Sequence, residues 1–198
     1  IGGEQSVIPT REQAWNILTK YVESPFLQEH CKTVEGVMRY FAPKFGGDPE
    51  IWGAAGLLHD VDYEKWPEAH CKKMIELLDA EGVDREFTLQ LAAHGWGLCT
   101  DVAPETDMAN VLYTVDELTG LIHAAAIMRP SKSVMDLEMK SVKKKYKSKG
   151  FAAGVDRGVI EKGCQRIGLS LDDVIEGCIL GMHTVAAEIG LLGNPQET

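Results

Sequence analysis

Four side chains in this sequence have the types needed to hold a metal ion: His30, the adjacent pair His59-Asp60, and Asp116. They offer two neutral imidazole nitrogens and two carboxylates. That mixed set suits one borderline divalent ion (Mn, Fe, Ni, Co or Zn) better than Mg or Ca, which prefer all-oxygen shells. Neighbouring residues on a regular helix point about 100° apart, so His59 and Asp60 can converge only where a helix ends and the backbone turns. The sequence provides that ending. The apolar run Ala55-Gly56-Leu57-Leu58 stops at His59, and Asp62 and Pro67 break the pattern beyond it. Gly53, Ala54, Ala55 and Gly56 are small enough to admit a second helix closely.

Helices must carry these groups. Thr10 and Gln13 have capping-box spacing, and Ala14, Ile17, Leu18 and Tyr21 repeat with a helical period. Ser24 followed by Pro25 caps a second helix with Val34, Val37, Met38 and Phe41 as its buried stripe, and His30 falls on that stripe one turn earlier. Asp48-Pro49 starts the helix that runs to His59. Pro67 restarts a helix containing His70 and Met74, and Asp84 caps one in which Phe87, Leu91 and His94 share a face before a flexible Gly95-Trp96-Gly97 exit. Pro104-Glu105 opens the longest helix, running to about Arg129-Pro130, with Asp116 inside its apolar stripe. A buried carboxylate there requires a cation or donor. A short amphipathic helix within 131–150 and two more capped at Asp156 and Ser170 complete the chain. No strict alternation marks a strand, and there is neither an internal repeat nor a linker long enough to separate domains. The expectation is one all-α domain over 1–198, with a core of about 24–130 and a helical extension over 131–198.

Composition narrows the partners. With 198 residues, 44% hydrophobic and 25% charged, the chain can bury a real core. A net charge of -10 argues against general affinity for nucleic acid or anionic membrane. No apolar run approaches the roughly 20 residues that span a bilayer, and Ile1-Gly2-Gly3-Glu4 has neither the basic nor the apolar segment of a signal peptide. The five cysteines, Cys31, Cys71, Cys99, Cys164 and Cys178, are odd in number and contain no CxxC pair, which fits a reducing cytoplasm. Nothing in the sequence sets the oligomeric state.

In order and spacing, His30, His59-Asp60 and Asp116 resemble the H…HD…D signature of the HD superfamily of metal-dependent phosphohydrolases. The likeness covers roughly residues 24–130, and the whole chain is similar to small stand-alone HD proteins. The resemblance implies a single-domain helical bundle of the HD type in which His30, His59, Asp60 and Asp116 are the metal ligands. It further implies hydrolysis of a small phosphate ester, a nucleotide among the candidates, by metal-activated water. Binuclear members carry further histidines between the HD pair and the last Asp, where this chain has only His70 and His94. One metal is therefore expected rather than two, with His70 and His123 structural or exposed.

The same reading gives the remaining roles. Asp60 or a nearby carboxylate orients the attacking water, and His94 contacts the substrate phosphate or transfers a proton, as against serving as a core histidine. Glu64 or Asp62 is a candidate proton donor. Some HD nucleotidases place a Glu where this chain has Tyr63, which leaves the general acid unassigned. Lys65, Lys132 and Lys140 are candidate cations for phosphate oxygens. The alternative to an enzyme is a metal- and ligand-binding regulatory module of the same fold, without turnover.

Overall fold

Side-chain caps decide where most of the helices begin. In a computed structural model that describes residues 6–195, α1 (Arg11–Tyr21) starts at a reciprocal capping box between Thr10 and Gln13. α2 (Pro25–Phe41) starts with Ser24 as N-cap and Pro25 at its first position, and α3 (Pro49–Leu58) with Asp48 and Pro49 in the same roles. α4 (Lys73–Ala80) has no side-chain cap, and α5 (Arg85–Ala92) is capped by Asp84. The longest helix, α6 (Asp107–Ile127), is capped by Thr106, and α7 (Met139–Lys147) by no side chain. α8 (Arg157–Ile167) and α9 (Leu171–His183) follow from Asp156 and Ser170. Helices make up 62% of the structure, with no strand among the described residues. None of these helices is long and apolar enough to cross a membrane.

α2 and α3 pack against each other most closely, and Gly56 is the reason. A Cβ added there would lie 2.6 Å from the backbone nitrogen of Glu35 and 2.7 Å from its Cα. Backbone cannot yield as a flexible side chain does, so the α2–α3 spacing depends on this glycine, and overpacking costs about 1–3 kcal/mol. That spacing brings His30 of α2 beside His59 at the end of α3. α6 crosses the same core with Leu112, Val115, Leu118 and Ile122 fully buried, and α9 closes it through Val174, Cys178 and Met182.

Three elements depart from the sequence reading. Pro67 begins only a single 3-10 turn (Pro67–Ala69), after which Cys71 takes φ 72° and α4 starts at Lys73, so His70 lies in a connection and not on a helix. The longest helix starts at Asp107 and not at Pro104, because Thr106 accepts from the Ala109 amide while Pro104 presents its carbonyl to Arg166 at 2.7 Å. The Gly95-Trp96-Gly97 exit is pinned. Trp96 is covered by Lys162 Nζ at 3.9 Å from its ring centroid and by Arg166 at 4.9 Å, with Tyr113 5.9 Å away.

Candidate metal centre

The end of α3 supplies the turn that the His-Asp pair requires. His59 is the C-cap residue, still near helical dihedrals, and Asp60 lies on the first turn beyond it. His59 Nε2 stands 3.2 Å from His30 Nε2, and both lie against the same Asp116 oxygen, at 3.1 and 3.0 Å. Asp60 Oδ2 completes the group at 3.3 Å from His30 and 3.2 Å from His59. Ligands bonded at about 2.1 Å to one ion sit about 3.0–3.4 Å from each other, whether octahedral or tetrahedral. The four donors therefore have the separations of one coordination shell. Two neutral imidazoles that both turned Nε2 lone pairs toward one carboxylate oxygen would have no donor among them, and a cation there would satisfy all three acceptors.

A second set of donors begins on the other oxygen of Asp60. Its Oδ1 lies 3.3 Å from His70 Nε2 and 3.4 Å from His94 Nε2, and those two nitrogens are 3.1 Å apart. Cys71 Sγ is 3.8 Å from His94 Nε2 and belongs to the same cluster. Asp60 thus spans two groups of donors, one toward His30 and His59 and one toward His70 and His94. His70, read from the sequence as structural or exposed, is in the site. The sequence carries a faint signal for it in the carboxylate at Asp62, whose Oδ1 accepts from His70 Nδ1 at 2.6 Å.

The unused ring nitrogens are fixed as metal-ligating histidines require. His59 Nδ1 donates to the Gly56 carbonyl at 2.6 Å and His94 Nδ1 to that of Leu91 at 2.7 Å, so in each ring Nε2 is the nitrogen turned toward the centre. Asp62 holds His70 the same way and is itself held, since Oδ2 accepts from the Met74 amide at 2.9 Å. Asp62 is fully buried and lines neither lobe of the cavity described next, so its carboxylate holds the His70 ring and does not face that cavity.

Charge is arranged accordingly. Burial alone would raise the carboxylates and lower the imidazoles. The histidines nevertheless hold Asp60 and Asp116 well below the usual carboxylate range, and the carboxylates raise His30 to about 10 and His59, His70 and His94 upward. The Cys71 thiol, which burial would push up, is brought down to about 6 by His70 and His94.

A cavity of about 410 Å³ opens over this floor, lined by His30, Asp60, His70, His94 and Asp116 with Leu98, Tyr113, Val155 and Val159 as apolar walls. A second lobe of about 270 Å³ shares His30, Asp60 and Tyr63 and is walled by Phe26, Leu27 and His123. Glu117 also lines the larger cavity, and the sequence reading missed it. Burial and the charge of Asp116 raise its carboxyl, against a hydrogen bond from the Asp156 amide that lowers it.

The remaining candidates lie elsewhere. Glu64 is used by the fold, its two oxygens accepting from the backbone amides of Glu23 and Ser24 at 2.8 Å each. Lys65 Nζ reaches the Lys20 carbonyl at 3.5 Å. Among the described residues, neither lobe is lined by Lys65, Lys132 or Lys140, nor by any other Lys or Arg. Lys132 sits in the turn after α6, and Lys140 on the exposed face of α7.

Comparison with known proteins gives three findings. The HD domain matches over residues 27–128, just over half of the chain. A curated relative, a tRNA (cytidine(56)-2'-O)-methyltransferase of Thermoplasma volcanium, is 24% identical over 160 residues that cover 79% of this chain and 46% of its own length. The chain therefore spans less than half of that relative, and no solved structure matches. With the family match over the helices that carry the His-Asp cluster, the chain belongs to the HD domain family.

Proposed function

We propose that the protein is a metal-dependent phosphohydrolase acting on a small phosphate ester, with nucleotides among the candidate substrates. One observation carries this reading: His30, His70 and His94 with Asp60 and Asp116 line the floor of a cavity of about 410 Å³, and the fully buried His59 turns its Nε2 to within 3.2 Å of His30 from beneath. His30, His59, Asp60 and Asp116 would hold one divalent transition metal, and His70, His94 and Asp60 offer donors for a second. When bound, such a metal lowers the pKa of its water from 15.7 toward about 7 and offsets charge developing on phosphorus.

The chain's own residues supply the rest. Asp60 contacts both donor groups, so a substrate oxygen and the attacking water would be positioned against one shared floor. With no Lys or Arg among the described residues of either lobe, the phosphate depends on the floor itself and on the histidine edges there. The carboxyl of Glu117, which lines the cavity and is raised by burial, would supply a proton to a leaving group. The apolar walls and the smaller lobe give the organic part of the ester a place to lie. Five free thiols fit a cytoplasmic setting.

Methyl transfer is not carried over from the relative, because the shared stretch covers 46% of that protein and a cluster of His and Asp donors serves an ion, not a methyl donor. The scarcity of cations in the lobes favours one second reading, a metal- and ligand-binding regulatory module without turnover. Metal analysis of the native protein, then a screen of phosphate esters with Mn, Fe, Co, Ni and Zn, separates the two. Metal-dependent release of phosphate supports the enzyme. Metal binding without turnover of any ester supports the module.

A further inference from the structure

Beside the His70–His94 end of the site, two thiols meet in a way that metal ligation alone does not require. Cys99 Sγ donates to Cys71 Sγ across 3.0 Å, and a disulfide needs the sulfurs to close to about 2.05 Å, so roughly 1 Å of movement separates the two states. The backbone is built around this contact. Gly95 is the residue beneath it: a Cβ there would lie 2.2 Å from Cys99 Sγ and 2.6 Å from Cys71 Sγ, so any side chain would occupy the space the sulfurs share. The Gly95 carbonyl accepts from the amides of Leu98, Cys99 and Thr100 at 3.0, 2.9 and 3.3 Å, folding the loop that carries Cys99 back over the glycine. On the other side, Cys71 adopts φ 72°, a conformation L side chains rarely take, and its sulfur lies between Cys99 and His94.

Access to the two sulfurs differs. Cys99 is partly exposed and lines both the main cavity and a groove formed with Lys72, Gly97 and Thr100, whereas Cys71 is fully buried. Cys31, Cys164 and Cys178 are buried in the core, away from either opening.

We propose that Cys71 and Cys99 form an oxidisable dithiol, closed to a disulfide by a hydroperoxide and reopened by thiols, which switches the His70–His94 end of the site. Cys99, having given up its proton, takes the peroxide oxygen as a thiolate; the O–O bond breaks, and the alkoxide or hydroxide leaves with that proton as alcohol or water, Cys99 now a sulfenic acid. Cys71 then attacks the Cys99 sulfur; the S–S bond forms, the S–O bond breaks, and hydroxide departs as water with the thiol proton. Two thiols lose two electrons to the peroxide, and two electrons from an added dithiol restore them. Closing the bond draws the Cys71 sulfur from His94 toward Cys99. The effect on ligand binding at that end rests on the metal reading; the disulfide does not.

The test uses the full chain with its metal. It is exposed to about one equivalent of hydrogen peroxide, quenched, unfolded in guanidinium chloride and alkylated, then digested and mapped by mass spectrometry. The expected product is a Cys71–Cys99 linked peptide two hydrogens lighter than the pair, lost on treatment with dithiothreitol, with Cys31, Cys164 and Cys178 still alkylated. In Cys71→Ser, a near-isosteric change, dimedone should trap a sulfenic acid at Cys99. In Cys99→Ser no link forms, and Cys71 stays alkylatable. A native chain in which Cys71 and Cys99 remain alkylatable, or in which a core cysteine is oxidised first, overturns the dithiol. Metal content measured before and after supports the switch if the share held at the His70–His94 end is lost and returns on reduction, and overturns it if unchanged once the disulfide has formed. A chain that binds no metal before oxidation defeats the phosphohydrolase reading and the switch, while the peptide map still decides the dithiol.

Discussion

The two ends of the site share Asp60 but are built from different material. His30 and Asp116 stand on long helices, α2 and α6, and His59 ends a third; the Gly56 contact between α2 and α3 fixes their spacing through packed backbone. His70, Cys71, His94 and Cys99 stand on short irregular connections, and their positions depend on local hydrogen bonds: Asp62 under His70, the Leu91 carbonyl under His94, Gly95 under the two thiols. A helix-borne end resists change until its core is repacked. A loop-borne end can be altered by one hydrogen bond or one covalent bond, which is where a regulated or second ligand is expected to reside.

Asp60→Ala removes the group common to both ends, so it should have the largest effect. Metal content is expected to fall at both, and turnover of any active ester to drop below detection, with helical content by circular dichroism unchanged. Retention of full metal content would show that the ends do not depend on their shared carboxylate.

The comparison sharpens with His59→Ala against His70→Ala. The first should empty the helix-borne end. The second should lower metal content only by the share bound at the loop-borne end and leave His30, His59 and Asp116 loaded. Equal losses from both variants would mean that the ends fill as one unit. A His70 variant with native stoichiometry and native turnover would return His70 to a purely structural role.

The same contrast explains what is legible in the sequence. His30 and Asp116 each fall on a periodic apolar stripe, and His59-Asp60 closes an apolar run, so helical period and helix ending suffice to group them. The sequence places His70 on a helix starting at Pro67 that in fact lasts one 3-10 turn; the left-handed Cys71 that redirects the chain has no signature, because positive φ at a non-glycine residue is imposed by its surroundings. Glu117 escapes notice because it neighbours Asp116 on α6 and reads as an ordinary polar position. Glu64 misleads for the opposite reason: its place after the His-Asp pair looks catalytic, but its carboxylate is spent on two amides of the α1–α2 turn.

Asp62→Asn should have an intermediate effect. Losing a carboxylate behind a ligating histidine costs roughly 10–100-fold in metal affinity, and here the loss should fall on the His70 end alone. Isothermal titration would show one weakened and one unchanged phase. A single phase weakened throughout would contradict the separation.

Protonation gives a smaller, graded effect. In the metal-free protein His30 is raised from 6.5 to about 10, so its contribution to stability is complete below pH 6.5 and lost as pH rises through about 10. Asp116 is lowered from 3.8, so its contribution is present above that value and lost as pH falls. Metal-free protein should therefore be most stable between about pH 4 and 6.5. Metal binding requires neutral imidazoles and releases protons, so added metal should raise Tm more at pH 8 than at pH 6. Differential scanning calorimetry with and without metal checks this, and a metal-induced rise independent of pH would count against His30 as a ligand.

The smallest effect is expected from the lysines. Lys65, Lys132 and Lys140 carry charge that the sequence suggests for phosphate, yet none lines either lobe over the site. Exposed charges more than about 8–10 Å apart are largely screened at physiological ionic strength. Alanine at each position should leave KM for a phosphate ester within about twofold and kcat unchanged, since a distal charge that binds ground and transition state alike would move KM alone. The measurement belongs at low salt, where a long-range contribution is least screened. A KM that rises several-fold there and recovers its native value at moderate salt would show that α7 or the turn after α6 steers the anion toward the mouth. An unchanged KM at both leaves the His-Asp floor to hold the phosphate, so affinity should follow metal occupancy at the two ends of Asp60.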